Sequence, residues 1–265
     1  MQKQIDHNYL AFIATQAALQ AGEILLQGFG TEYQITSKPG RQNIVTQYDH
    51  ASEKSIVELI LSRFPDHVIL AEESGLSKEI RNDGIVWFID PLDGTSNFAH
   101  QVPLFTISIA AYLGNEGLCG IIYQPITKEL FIAVKGQGAY LNGKKLSVTL
   151  IEKLEESMVL VGFPSESTRH PTMDIKNLEK LNQTGSTTRN LGSAALGLAY
   201  LAAGKLDGFW MNNLHPWDWA AGKILVEEAG GKVSSFFNAG EIYSAPSNIL
   251  GSNGKLHKQL LSFIK

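Results

Sequence analysis

The sequence predicts an α/β protein: an α+β first half, then a second half in which strands and helices alternate. Two observations carry this. Residues 5 to 28 and 51 to 64 place apolar side chains at three- and four-residue spacings, and short β-branched and aromatic runs joined by turn residues follow them. Beyond residue 150, strand-like and helix-like segments take turns, which favours a sheet with helices packed on it. A chain of 265 residues is long enough for one large domain or two small ones sharing a core. We divide it into an α+β subdomain at 1–148, carrying an acidic turn, and an α/β subdomain at 149–265 that completes the site.

Taken in order, Ile5, Tyr9, Phe12, Ile13, Ala17 and Leu25 form one helical stripe that closes near Gly28 and Gly30. Residues 34 to 43, with Lys38-Pro39-Gly40-Arg41, read as a polar loop. Ala51 to Phe64 is a second helix, with Asp49 just before it. Val68 to Ala71 is a strand running into Glu72-Glu73-Ser74-Gly75. Ile85 to Ile89 is an apolar run suited to a strand buried on both faces, and Pro91, which lacks an N–H, is expected to stop it. Phe105–Leu113, Gly117–Tyr123 and Glu129–Val134 read as an antiparallel meander, with turns at Pro125–Lys128 and Asn142-Gly143. Later strands are expected at Ser157–Gly162, Ser186–Asn190, Leu206–Trp210, Lys232–Phe236 and Asn248–Ser252. Helices are expected at 171–182, Gly192–Gly204, Trp217–Ala229 and the C-terminus.

Composition excludes several classes. A formal net charge of −4 gives no strong attraction to nucleic acid or acidic lipid. No run reaches the ~18 apolar residues of a spanning helix, and the polar opening residues lead us to expect no signal peptide. The single cysteine, Cys119, has apolar neighbours and reads as a buried small residue, compatible with the cytoplasm. The seven histidines include no pair at i, i+4, so a zinc site has no obvious ligands.

The chemistry concentrates at Asp90-Pro91-Leu92-Asp93-Gly94-Thr95. Two acids at the end of an apolar strand repel each other and resist burial unless a cation joins them. Gly94 permits a sharp turn in which backbone N–H groups converge on an anion. The plainer reading is a turn whose Asp and Gly serve geometry alone. Glu72 ends a neighbouring strand in the same manner, while Asp218 and Asp49 also suit helix starts. Carboxylates and carbonyls without thiol or imidazole select a hard cation, and Mg²⁺ is the usual partner of phosphate substrates.

The segment Asp90-Pro91-Leu92-Asp93-Gly94-Thr95-Ser96-Asn97-Phe98 resembles the first signature of the inositol monophosphatase family, Mg²⁺-dependent and lithium-sensitive phosphatases. Trp217-Asp218-Trp219-Ala220-Ala221-Gly222, continuing through Glu228-Ala229-Gly230-Gly231, resembles the second. The resemblance implies a layered αβαβα sandwich, a homodimer, and two or three Mg²⁺ ions. It implies that Glu72, Asp90, Asp93 and Asp218 ligate metal by carboxylate and Leu92 by its carbonyl. Gly94 and Thr95 would offer backbone donors to the phosphate, with Asp93 and Asp218 also beside the substrate. Thr95 and Asp49 would orient and deprotonate the attacking water, with Glu72 and Lys38 also in catalytic positions. Gly192, Ser193 and Ala194 would border the organic part of a small phosphorylated substrate. One position departs: inositol-specific members carry a glutamate seven residues before the second-signature Asp, where this chain has Met211. Thioether sulfur does not accept hydrogen bonds as a carboxylate does. Inositol phosphate, other sugar or polyol phosphates, fructose 1,6-bisphosphate, histidinol phosphate, NADP and adenosine 3′,5′-bisphosphate therefore stay open, as does a regulatory, partner-binding role.

Overall fold

The computed structural model describes residues 6–32, 35–37, 44–80, 84–163, 171–235 and 246–263. Helix α1 spans His7–Gly28 and starts where the Asp6 side chain accepts hydrogen bonds from the Asn8 and Tyr9 amides. It is, among the described residues, the one helix that by length and mean composition could cross a bilayer, although Gln16, Gln20 and Glu23 interrupt its apolar run. Its Leu10, Ile13, Ala14, Ala17, Ala21 and Leu25 face is instead buried in the core. Strands β1 (Ile35–Ser37) and β2 (Ile44–Thr46) pair antiparallel, so Ile35–Ser37, within the expected polar loop, form a strand. Lys38 lies outside the described residues.

Helix α2 runs Gln47–Arg63, four residues earlier than its apolar stripe indicated. Thr46 caps it and Asp49 reaches back to the Thr46 N–H, a reciprocal capping box. Asp49 is therefore inside the first turn rather than before the helix.

An eight-stranded sheet follows, in the order β10-β9-β8-β7-β6-β5-β3-β4. Its strands are β3 (Val68–Ala71), β4 (Gly75–Leu76), β5 (Ile85–Asp93), β6 (Thr106–Leu113), β7 (Glu116–Gln124), β8 (Glu129–Val134), β9 (Gly138–Leu141) and β10 (Lys144–Lys145). β3 lies parallel to β5; β6 to β8 form the expected meander, which β5 extends on one side and β9 and β10 on the other. Asn142 and Gly143 both have positive φ, as a two-residue hairpin turn demands.

Pro91 does not end β5. Asp90 pairs with Ser108 and Asp93 with Thr106, so Pro91 and Leu92 together face Ile107. This is a β-bulge, one of the few places in a sheet that tolerates proline, because the ladder is already interrupted there. A short helix α3 (Thr95–Ala99) follows.

The second sheet has the order β12-β11-β13-β15-β14, formed by β11 (Met158–Gly162), β12 (Thr187–Arg189), β13 (Gly208–Leu214), β14 (Lys232–Ser235) and β15 (Ser247–Ser252). Its helices are α4 (Pro171–Gln183), α5 (Ala194–Ala202), α6 (Pro216–Glu228) and α7 (His257–Phe263). Three apolar clusters show the layering. Residues of α1 and α2 bury one face of the large sheet. α5 and α6 fill the space between the sheets. Leu181 of α4 and Leu260 of α7 cover the outer face of the small sheet. The αβαβα sandwich is thus present. α6 lies directly on β7 at Gly120, where a Cβ would come within 2.7 Å of the Ala221 carbonyl oxygen. Cys119 is buried as expected, and burial pushes its thiol pKa up to about 12.

Candidate active site

The site is assembled at the ends of β3, β5 and α6. Side chains alternate along a strand, so Val86 and Phe88 face α5 and α6 while Trp87 and Ile89 face α1 and α2. Asp90 continues the first set. A regular strand would send Asp93 to the opposite face; the bulge adds one residue and returns it to the side of Asp90. Glu72 follows Val68 and Leu70 in the same alternation, and its N–H extends the ladder to the Ile89 carbonyl at 3.1 Å. Glu73 falls on the other side and acts electrostatically on Asp49.

Asp218 arrives from α6. Pro216 occupies the first turn, where its missing N–H costs nothing, and Asp218 Oδ2 accepts from the His215 N–H at 2.8 Å. Two side chains of β6 hold this helix start. Ser108 Oγ donates to the Trp217 carbonyl at 3.1 Å, and Tyr112 Oη donates to the Ala220 carbonyl at 2.9 Å.

The electrostatics show the convergence. Burial raises the Asp90 pKa well above the ordinary carboxylate value, and the charges of Glu72, Asp93 and Asp218 raise it further. Asp218 is raised in the same way by burial, Asp93 and Glu72. Asp93 is also raised by burial, against the lowering effect of its donors. Ser193 Oγ donates to Asp93 Oδ2, the Ala195 amide donates to the same oxygen at 2.7 Å, and the Ala194 amide donates to Oδ1 at 3.2 Å. Asp93 thereby caps α5. Ser193 and Ala194 are buried and direct these donors at Asp93, while Gly192, at φ +69°, stays exposed.

On the other side of β5, Thr95 Oγ1 lies 3.1 Å from Asp49 Oδ1 and 3.0 Å from the Leu92 carbonyl, two acceptors for one proton. Asp49 Oδ2 accepts from Thr46 N and Thr46 Oγ1, yet burial still raises its pKa. Gly94 takes φ +100°, a left-handed conformation, and opens α3 without a side-chain cap. Met211 is buried against Gly162, which would have no room for a Cβ beside that thioether. A second bulge separates Met211 from Leu214 and places Asn213 at φ +56°.

The donor set is four carboxylates and the Leu92 carbonyl, all hard oxygens suited to Mg²⁺. Like charges buried together need a proton or a cation to offset them. As the side chains stand, no three His, Cys, Asp or Glu groups among the described residues already form a metal cage, because Asp93 and Asp218 are turned toward protein N–H donors. The donor chemistry fits the ion; its coordination geometry is not preformed. A separate open cleft lined by Glu116, Lys135, Lys223 and Glu227 lies at the far end of α6 from Asp218, about 13 Å along the axis. Its lysines are already paired with Glu116 and Glu227.

Sequence reading missed several supporting residues. Thr46 was recoverable from its spacing to Asp49, a Thr-x-x-Asp start. Ser108 and Asn97 were not. Asn97 Nδ2 ties the acidic turn to the Leu104 and Leu191 carbonyls at 2.6 and 2.8 Å, across 94 residues of chain in the second case.

The chain is 39% identical over 251 residues to "Nus factor SuhB" of Escherichia coli, covering 94% of this chain and 93% of that one. It is 38% identical over 248 residues to "Inositol-1-monophosphatase" of Synechocystis, covering 94% of this chain and 86% of that one. The structure of an inositol monophosphatase from Anabaena superposes with a TM-score of 0.84 at 37% identity, covering 97% and 95% of the two chains. The model of the inositol monophosphatase family matches residues 6–265, and the chain belongs to that family.

Proposed function

We propose that the protein is a Mg²⁺-dependent phosphomonoesterase acting on a small phosphorylated polyol, with inositol monophosphate as the leading substrate. The observation that carries this reading is the gathering of Glu72, Asp90, Asp93 and Asp218 from three separate elements into one mutually repelling cluster. Mg²⁺ ions held by these carboxylates and the Leu92 carbonyl would neutralise phosphate charge and acidify a water. The rest falls to the chain. Asp49, buried and raised in pKa, takes a proton from Thr95 Oγ1, and Thr95 in turn accepts one from the attacking water. The N–H groups of Gly94 and Thr95, at the uncapped start of α3, bind phosphate oxygens. Gly192 borders the organic part. Met211 contributes an apolar surface where inositol-specific relatives carry an acid, so Asn212 and Asn213 on the β13 bulge are the candidate hydroxyl partners. Lithium inhibition, a homodimer and a cytoplasmic location belong to the same reading.

Phosphate release from purified protein tests it, with and without Mg²⁺. The substrates are inositol 1-phosphate, fructose 1,6-bisphosphate, histidinol phosphate, NADP, adenosine 3′,5′-bisphosphate and an oligonucleotide. We expect Mg²⁺-dependent release from a small monoester, little from the oligonucleotide, and none in Asp93→Asn. Turnover by Asp93→Asn near the wild-type rate at saturating Mg²⁺ would defeat the assignment. A second reading, a regulatory role through a macromolecular partner, draws on the name of the E. coli relative. It predicts that a phosphatase-dead Asp93→Asn protein retains its cellular role.

A further inference from the structure

Helix α2 presents a polar stripe at Asp49, Ser52 and Glu53, positions that share one helical face. Asp49 and Ser52 reach the segment around the β5 bulge, and Glu53 reaches the end of β3. Asp49 meets Thr95 after the turn. Ser52 Oγ, fully buried, donates to the Pro91 carbonyl inside the β5 bulge at 2.9 Å. Glu53 turns both carboxylate oxygens onto the strand end: Oε2 accepts from the Glu73 N–H and Oε1 from the Ser74 N–H, each at 2.8 Å. Deeper along the same face, Ile56 and Ile60 are fully buried in the core and fix the helix against the sheet.

A carboxylate with only 4% of its residue surface exposed is costly unless its oxygens are engaged, and Glu53 engages both with backbone donors. The consequence falls on Glu72. Its own N–H is tied to β5 through the Ile89 carbonyl, and the next two N–H groups are tied to α2 through Glu53. The peptide that aims the Glu72 side chain is thus bracketed from both directions. Because Ser52 holds the Asp90–Asp93 bulge from the adjacent residue, one rigid helix sets the spacing between the two acidic strand ends.

We propose that Glu53 is a positioning residue for the acidic cluster: without touching metal or substrate, it fixes Glu72 relative to Asp90 and Asp93 through the Glu73 and Ser74 amides. The inference rests on the Mg²⁺-site reading above. Residues that orient the ligands of a metal are worth about 10–100-fold in affinity. Glu53→Gln keeps the shape but sets an NH₂ against one of the two N–H donors. Glu53→Asp keeps the charge and withdraws the reach, and it carries the test if the glutamine variant does not fold.

The measurement is calorimetric titration of purified, chelator-treated full-length protein with MgCl₂, beside its thermal midpoint and the Mg²⁺ dependence of phosphate release. We expect the Mg²⁺ Kd of a folded variant to rise at least 10-fold. The activity curve should shift to higher Mg²⁺, with kcat at saturation within a few-fold of wild type. A folded variant that melts lower but binds Mg²⁺ with unchanged Kd assigns Glu53 a purely structural role and overturns the inference alone. Failure of the wild-type protein to bind Mg²⁺ overturns the site reading beneath it.

Discussion

Asp90 is the residue at which folding and function conflict most directly. Its carboxylate is buried, three other acids repel it, and the hydrogen bond that favours its charge comes from the Leu92 N–H at 3.0 Å. A group so placed lowers stability in the absence of a cation. Asp90→Asn keeps the shape and removes the charge, so the metal-free variant should be more stable than wild type by about 1–2 kcal/mol and unfold at a higher urea midpoint. Urea unfolding in EDTA checks this, and a midpoint below wild type would show that the charge is not a burden. Asp93 differs, because its oxygens also cap α5. The acids themselves were legible as a pair flanking a proline. The donors that restrain Asp93 were not, since Ser193 lies 100 residues away and only packing brings it close.

At the scale of elements, the bulge in β5 decides the site. Read along the chain, Pro91 is a stop signal; in the sheet it occupies a bulge and shifts the strand phase so that Asp90 and Asp93 share a face. The start of α2 shifted for a related reason, as Thr46 and Asp49 form a reciprocal cap that apolar periodicity does not record. The opposite end of the molecule has its own titrating contact. At the start of α7, His257 Nε2 and Nδ1 each lie 2.9 Å from a serine hydroxyl, those of Ser234 on β14 and Ser252 on β15. Burial, with help from Lys232, lowers its pKa to about 4. A histidine whose folded pKa lies below its unfolded value near 6.5 disfavours protonation in the fold. Its contribution is full above pH 6.5 and is lost as pH falls toward about 4. His257→Asn should therefore lose less stability than wild type between pH 7 and pH 5, measured by urea midpoints. Parallel losses in the two proteins would remove His257 as the cause. His67, also lowered by burial, contributes equally to both arms.

The whole molecule supplies what no element has alone. Glu72 and Asp90 come from one sheet, Asp218 from a helix packed between two sheets, Asp49 from α2 and Thr95 from the start of α3. If these parts close around Mg²⁺, the ion stabilises the fold by mass action, ~2.7 kcal/mol at a hundredfold excess over Kd. For a chain of this size that is roughly 5–10 °C in Tm. Thermal melts in EDTA and in rising MgCl₂ measure it; a Tm flat to millimolar Mg²⁺ contradicts a shared ion site.

The sequence by itself determined the order of the longer helices and most strands, though not the β1–β2 pair, the short α3 or the strands β4, β9 and β10, together with the hairpin turns and the identity of the acids, because these depend on local periodicity, turn chemistry and residue type. Only the tertiary structure decided which acids meet and on which face. That outcome depends on a one-residue bulge, on the parallel pairing of β3 with β5, and on side chains such as Ser108 and Asn97 that bond to carbonyls far away in the chain. Such contacts join positions with no fixed spacing, so no window of sequence contains them.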